Sequence, residues 1–431
     1  MSGGLLERAE RAWNGELDLT REHPLSGGIR ETGGGEEIAP GVFFSTTLSN
    51  VAAFRTNEGL VLVDTGEFGL ASMHHERIRS WDHSRLNLAV FSHGHIDHVF
   101  GVAPFEEEAR ANGWPPPEVI AHEAVPARFE RYVLTAGYNA VINQRQFGLT
   151  DQFTWPTEYP QPDRTYRDSL SVKAGADRFE LHHARGETDD HTWTWVPSRR
   201  VLCSGDLFIW ATPNAGNPQK VQRYPREWAR ALRMMADLGA ELLLPGHGFL
   251  IVGAGRIRQA LSDTAELLEH LHDRTVEMMN AGATLDEIIH TVTTPAHLLD
   301  RPYLQPIYDD PEFVVRNVWR LYGGWYDGNP SRLKPPRDSE AAAEIAALAG
   351  GADRLAATAR ERAAEGRLRL AAHLADLAWR AAPDDPTVGS AHREIFDLLA
   401  ETESSVMAKG IYRWAAGGGT PSRPGHPAKG A

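Results

Sequence analysis

Ser92-His93-Gly94-His95-Ile96-Asp97-His98 follows the apolar run Leu86–Phe91 and decides how the rest of the chain is read. Three imidazoles and a carboxylate stand within six residues, which packing alone does not explain. Imidazole and carboxylate are the ligands zinc takes when no thiolate is offered. In an extended segment His93, His95 and Asp97 point one way, and His98 then turns to a neighbouring point. Such a segment can serve two metals side by side. Leu244-Pro245-Gly246-His247-Gly248 is a second histidine turn after an apolar strand. A zinc finger does not fit, because there is no cysteine pair.

Working outward, the 431 residues are enough for two or three domains. A hydrophobic content of 42% with 9% aromatic residues suits a well-buried core. The net charge of −14, from 44 basic and 58 acidic residues, argues against nucleic acid and anionic membrane surfaces as partners. The one cysteine, Cys203, lies in Val201-Leu202-Cys203-Ser204-Gly205 and reads as a small buried hydrophobe. Met1–Arg8 shows no basic-then-apolar leader, and no apolar run approaches membrane-spanning length. A soluble, cytoplasmic protein is the expectation.

Residues 1–37 are polar, contain Gly33-Gly34-Gly35, and read as a loose N-terminal arm. Gly41–Thr46, Val51–Thr56 and Leu60–Asp64 read as short strands, with a turn at Asn57-Glu58-Gly59. Leu60-Val61-Leu62-Val63 is apolar on consecutive residues, as in a strand covered on both faces. Further strands are predicted at Leu86–Phe91, Val119–Ala121, Arg178–His182, Thr192–Val196, Val201–Ser204 and Leu242–Leu244, with helices between them such as 225–238. This alternation predicts an α/β layered domain over 38–294. Beyond His247 the pattern turns helical, with a helix over 255–280 and a capping box at Thr284-Leu285-Asp286-Glu287. Residues 295–336, rich in Pro, Gly, Tyr and Trp, read as an ordered connector. Residues 337–410 read as a small all-α domain, with Leu370, Leu374 and Leu377 at helical spacing, and 411–431 as a flexible tail.

The His-x-His-x-Asp-His run resembles the signature of the metallo-β-lactamase fold hydrolases. Val63-Asp64-Thr65-Gly66, Gly205-Asp206 and Pro245-Gly246-His247-Gly248 resemble that family's other site turns, in the same order. Most members carry a Gly-His-Thr turn where this chain has Gly186-Glu187-Thr188. That glutamate resembles the alkylsulfatase branch. So do Arg301–Pro306 and the run Val315–Pro330, which resemble the approach to that branch's helical dimerisation domain. The branch often has Glu at the bridging position where this chain has Asp206. The resemblance implies an αββα sandwich followed by a small helical dimerisation domain, hence a homodimer.

It also implies two zinc ions per chain. His93, His95 and Glu187 would hold the first, Asp97, His98 and His247 the second, and Asp206 would bridge them with a water. Paired zinc ions lower the pKa of such a water. Asp97 and His191 are the candidate catalytic residues, with His191 as the acid for a leaving alkoxide. His191 also stands near enough to rival Glu187 as a ligand or to support another ligand. Asp64 is expected to accept a hydrogen bond from a ligand histidine and fix its tautomer.

Asn214, Asn217, Lys220 and Arg223 put two amides and two cations within ten residues, which suits a sulfate or carboxylate as well as a solvated loop. Arg145 falls where the sulfatases carry substrate contacts. Trp155, Trp210, Trp325 and Tyr326 are candidates for an apolar channel for an alkyl group or for ordinary core. The activity implied is hydrolysis of a small alkyl sulfate ester. The rival activities are hydrolysis of a lactone, thioester or phosphodiester, and a non-catalytic metal-binding scaffold is the reading from another class.

Overall fold

Leu60-Val61-Leu62-Val63 forms most of strand β4 (Gly59–Val63), and both of its faces are covered. In the computed structural model, which describes residues 4–27 and 33–418, Val61 and Val63 enter one apolar core while Leu60 and Leu62 enter another. That split follows from the two-residue period of a strand. The sheet around it has seven strands in sequential order: β1 (Gly34–Ala39), β2 (Val42–Thr46), β3 (Asn50–Thr56), β4, β5 (Leu86–Val90), β6 (Glu118–His122) and β7 (Arg164–Tyr166). The first four run antiparallel, and β4 to β7 are parallel.

A second sheet contains β8 (Ser169–Ala174), β9 (Asp177–His183), β10 (Thr192–Val196), β11 (Val201–Gly205), β12 (Leu242–Pro245) and β13 (Ile251–Val252), with β11 and β12 parallel. Phe179, Leu181, Trp193 and Trp195 of this sheet share a core with Phe44, Phe54, Val61 and Val63 of the first. Helices Ala71–Trp81, Ala103–Asn112 and Val125–Leu134 cover the other face of the first sheet through Ile78, Phe105 and Phe129. Helices Pro225–Ala236 and Ala254–Asn280 complete the second sheet's side with Trp228, Leu232, Leu261 and Leu268. The layers are helix, sheet, sheet, helix.

The chain forms two compact units, residues 1–136 with 156–324, and residues 137–155 with 325–431. The second unit, where described, is helical: Asp338–Ala349, Ala352–Ala364, Leu368–Ala381, Pro386–Thr402 and Val406–Ala416 follow in order. Its cores are made largely of alanine (Ala346, Ala356, Ala359, Ala371, Ala375, Ala378, Ala391), so the helices approach closely. The capping box at Thr284 and Glu287 forms as its sequence predicts.

Three expectations need correction. The loose arm contains a helix, Leu5–Trp13, with Ala9 and Ala12 buried and Trp13 stacked on Tyr303 at 5.4 Å. Its apolar residues recur at helical spacing, a signal hidden by the glycines that follow; those glycines begin the edge strand β1. The tail expected from 411 starts inside the last helix, and residues 419–431 lie outside the described residues. Trp210 lines no channel: it is fully buried against Trp13, Phe249 and Tyr303, while Trp155, Trp325 and Tyr326 belong to the second unit. Core packing claims the largest apolar side chain first. Among the described residues no helix is long and apolar enough to cross a membrane.

Candidate metal centre

Five turns meet where strands end. Asp64 follows β4, Ser92–His98 follow β5, Glu187 sits in the β9–β10 connection, Asp206 follows β11, and His247 follows β12. Because β4 and β5 are parallel, and β11 and β12 also, each pair delivers its turns at one end. Asn50 joins the two sheets there, donating Nδ2 to the Pro245 carbonyl at 3.0 Å and its N–H to the Gly246 carbonyl at 2.8 Å. A Cβ on Gly246 would lie 2.1 Å from Asp206 Oδ1, so only glycine fits that turn. Asp64 adopts φ 59°, a conformation costly for a non-glycine residue, and accepts from Ser92 N–H at 2.7 Å and Ser92 Oγ at 2.9 Å.

The ligand-type atoms form two groups, each within 4.8 Å: His93, His95, Glu187 and Asp206 in one, Asp97, His98 and His247 in the other. Glu187 Oε2 lies 3.4 Å from His93 Nε2 and 3.3 Å from His95 Nδ1. Asp97 Oδ2 lies 3.3 Å from His247 Nε2 and 3.6 Å from His98 Nε2. Asp206 faces both groups, with Oδ1 at 3.4 Å from His98 Nε2 and Oδ2 at 3.2 Å from His247 Nε2 and 3.9 Å from His93 Nε2.

These residues fit a metal pair. His98 Nε2, Glu187 Oε2 and Asp206 Oδ1 are buried with no hydrogen-bond partner, a costly state that a cation would relieve. The far nitrogens of three histidines are already held, His93 Nδ1 by Ser92 Oγ at 2.9 Å, His98 Nδ1 by Asp64 Oδ2 at 2.9 Å, and His247 Nδ1 by the Leu48 carbonyl at 2.6 Å. That leaves each Nε2 aimed inward, as zinc-binding histidines require.

Burial opposes charge on His247, yet Asp206 and Asp97 outweigh it and push its pKa up to about 10. Burial also works against the Glu187 and Asp206 carboxylates, but their imidazole neighbours, and Arg223 beside Glu187, hold both well below the usual range. The centre is thus a knot of anions that needs positive charge.

The metallo-beta-lactamase superfamily model matches residues 46–247, and the alkyl sulfatase dimerisation model matches residues 284–418. This chain joins a metallo-β-lactamase domain to an alkylsulfatase dimerisation domain. A linear primary-alkylsulfatase of Pseudomonas sp. is 26% identical over 382 residues, covering 83% of this chain and 72% of that protein. An (R)-specific secondary-alkylsulfatase of Pseudomonas sp. is 24% identical over 408 residues, covering 85% of this chain and 59% of that protein. The solved structure of a stereoselective inverting sec-alkylsulfatase from Pseudomonas sp. superposes with a TM-score of 0.81 at 21% identity, covering 95% of this chain and 70% of that one.

Within this metallo-β-lactamase domain His191 differs from its sequence reading as an acid. Asp206 N–H donates to its Nε2 at 3.0 Å, and its ring stacks on His93 with centroids 4.8 Å apart. Burial, reinforced by His93, keeps its pKa well below the usual histidine range. A fully buried neutral ring is not placed to protonate a leaving group; it anchors Asp206.

Asn214 also differs from its expected role. Its Nδ2 donates to Glu187 Oε1 and orients that carboxylate. Asn217 is buried and accepts from Gln219 N–H at 3.0 Å, which makes it a turn former in the same loop. Burial, with Arg223 adding to it, lowers the Lys220 ammonium to about 8. Arg223 is 1% exposed, its Nη2 stands 3.6 Å from Glu187 Oε1, and its Nε and Nη1 have no partner. Arg145 belongs to the helical unit, with its guanidinium 5.6 Å from the Trp414 ring centroid.

Sequence reasoning missed Arg128 and Asp190. They pair at 2.6 Å in the interior, and Asp190 accepts from Gly94 N–H at 3.2 Å, bracing the histidine loop. Asp190 stands beside the Glu187 turn, but Arg128 lies on a distant helix and gives no local signal.

Proposed function

We propose that this hydrolase cleaves alkyl sulfate esters to alcohol and sulfate, using two zinc ions held by His93, His95 and Glu187 and by Asp97, His98 and His247, with Asp206 between them. One observation carries the substrate class: Arg223 is buried beside the ligand cluster with Nε and Nη1 unpartnered. A guanidinium in that state is a receptor for a planar or tetrahedral oxyanion, which a lactone or thioester does not offer. Lys220 adds positive charge in the same loop. The names of the two alkylsulfatase relatives support the same reading.

Zinc bound in these positions supplies Lewis acidity and a water of lowered pKa. The chain's own residues do the rest. Arg223 takes the sulfate group and fixes its orientation toward the cluster. Asn214 orients the Glu187 carboxylate, and His191 accepts from the Asp206 main-chain N–H and so holds the turn that carries Asp206. His95 and Asp97 are the partly exposed members of the ligand set, so they mark the side from which substrate approaches. The buried side chains behind them exclude bulk water and strengthen each charge interaction.

Purified zinc-loaded protein given medium-chain alkyl sulfates is expected to release sulfate. A panel that also holds lactones, thioesters and phosphodiesters decides the class. Turnover of a neutral ester with no sulfate release would overturn the reading.

We also propose that residues 38–294 form the catalytic domain and that the helical domain at 337–410 pairs two chains. Ile345 and Leu348 stand exposed on helix Asp338–Ala349, as an uncovered apolar face would. Light scattering should then give twice the chain mass, falling to one chain mass after truncation at Pro336; one chain mass for the full protein would exclude pairing.

A further inference from the structure

The loop 211–223 takes its shape from one face of helix Pro311–Gly323 and from the residue pair just before it. Asp309 is fully buried and accepts from Gly216 N–H at 2.6 Å and Asp310 N–H at 2.8 Å. A Cβ on Gly216 would lie 2.2 Å from main-chain atoms of Phe313 and Val314, so loop and helix touch with no side chain between them. One turn further, Asn317 (3% exposed) brackets the backbone of Arg223. Its Nδ2 donates to the Arg223 carbonyl at 3.1 Å, and its Oδ1 accepts from Arg223 N–H at 3.4 Å. Arg320, a turn on again, donates Nη2 to Asn317 Oδ1 at 3.0 Å, Nε to Gln222 Oε1 at 3.1 Å and Nη1 to the Lys220 carbonyl at 3.3 Å. Residues 313, 317 and 320 share one helix face by their spacing.

We propose that Asn317, supported by Asp309 and Arg320, is a positioning residue that sets the Arg223 guanidinium for the sulfate group of the substrate. An arginine fork binds an oxyanion well only when its plane is correctly aimed. The side chain is long and loses rotamer freedom on binding. Fixing the Arg223 backbone at both its N–H and its carbonyl sets the point and direction from which that side chain leaves the main chain, and so aims the guanidinium. The inference rests on the sulfate-ester reading above.

The test uses the full zinc-loaded chain with Asn317→Ala and, separately, Arg320→Met. Steady-state kinetics on a medium-chain alkyl sulfate are read beside calorimetric binding of inorganic sulfate and zinc content. Asn317→Ala is expected to raise KM and weaken sulfate binding about tenfold, the equivalent of about 1.4 kcal/mol. Its kcat should stay within about threefold and its zinc content at the wild-type level, since a ground-state contact is lost. Arg320→Met, at an exposed site that tolerates change, should move KM and sulfate affinity the same way by about threefold. It carries the test alone if Asn317→Ala does not fold.

Wild-type KM and sulfate affinity in the folded variants would overturn the inference, as would a loss of kcat and zinc with KM intact. If the unmodified protein neither binds sulfate nor turns over any alkyl sulfate, the functional reading fails and takes the inference with it. If it does both and the variants match it, the inference alone fails.

Discussion

Replacing His247 with alanine should lower kcat/KM for alkyl sulfates by at least about a hundredfold, the upper end of what losing even an outer partner of a metal ligand costs. Bound zinc should fall in the same preparation. His247 Nε2 stands 3.2 Å from Asp206 Oδ2 and 3.3 Å from Asp97 Oδ2, so its removal leaves two carboxylates facing each other across an empty place. Repulsion between them would then disturb Asp206, which also faces the other ligand group. The loss should therefore exceed that of one ligand bond. Full turnover with full zinc content in His247→Ala would remove this residue from the site.

The second large effect belongs to Arg223→Met. The substitution keeps much of the side-chain volume and deletes the charge. Losing one partner of a buried charged pair costs roughly 2–5 kcal/mol, so kcat/KM for an alkyl sulfate should fall on the order of a hundredfold. Zinc content should stay near wild type, because Asn214 still orients Glu187. Burial, which opposes the Glu187 charge, would then act without the help of Arg223, so a modest rise in its pKa accompanies the change. Hydrolysis of a neutral ester, if the protein shows any, should suffer far less. Equal losses on sulfate and neutral esters would mean that Arg223 is structural rather than an anion receptor.

Most of the candidate ligand set was legible because it lies in short turns directly after apolar strands, whereas Glu187, in the β9–β10 connection, was read only through the family resemblance. His93, His95, Asp97 and His98 share one turn, and His247 and Asp206 end the parallel pair β12 and β11. Strand edges shifted by a residue or so, as at β4, which ends at Val63 rather than Asp64. The edge strand β8 and the glycine-led β1 were less readable, since an edge strand need not show a buried face.

Supporting residues were not legible for a different reason. Asn317 meets Arg223 across 94 positions of sequence, and Arg128 meets Asp190 across 62. No local pattern encodes such meetings. His191 was visible in sequence, but its task depended on which atom faced it. Only the fold shows that the partner is the Asp206 amide.

Strand-end turns of one domain are proposed to grip a pair of zinc ions around Asp206. Elemental analysis of the unmodified protein, purified without chelator and checked for alkyl sulfate turnover, tests it most directly. About two zinc ions per chain are expected in the active preparation. An active preparation with no bound transition metal would contradict it.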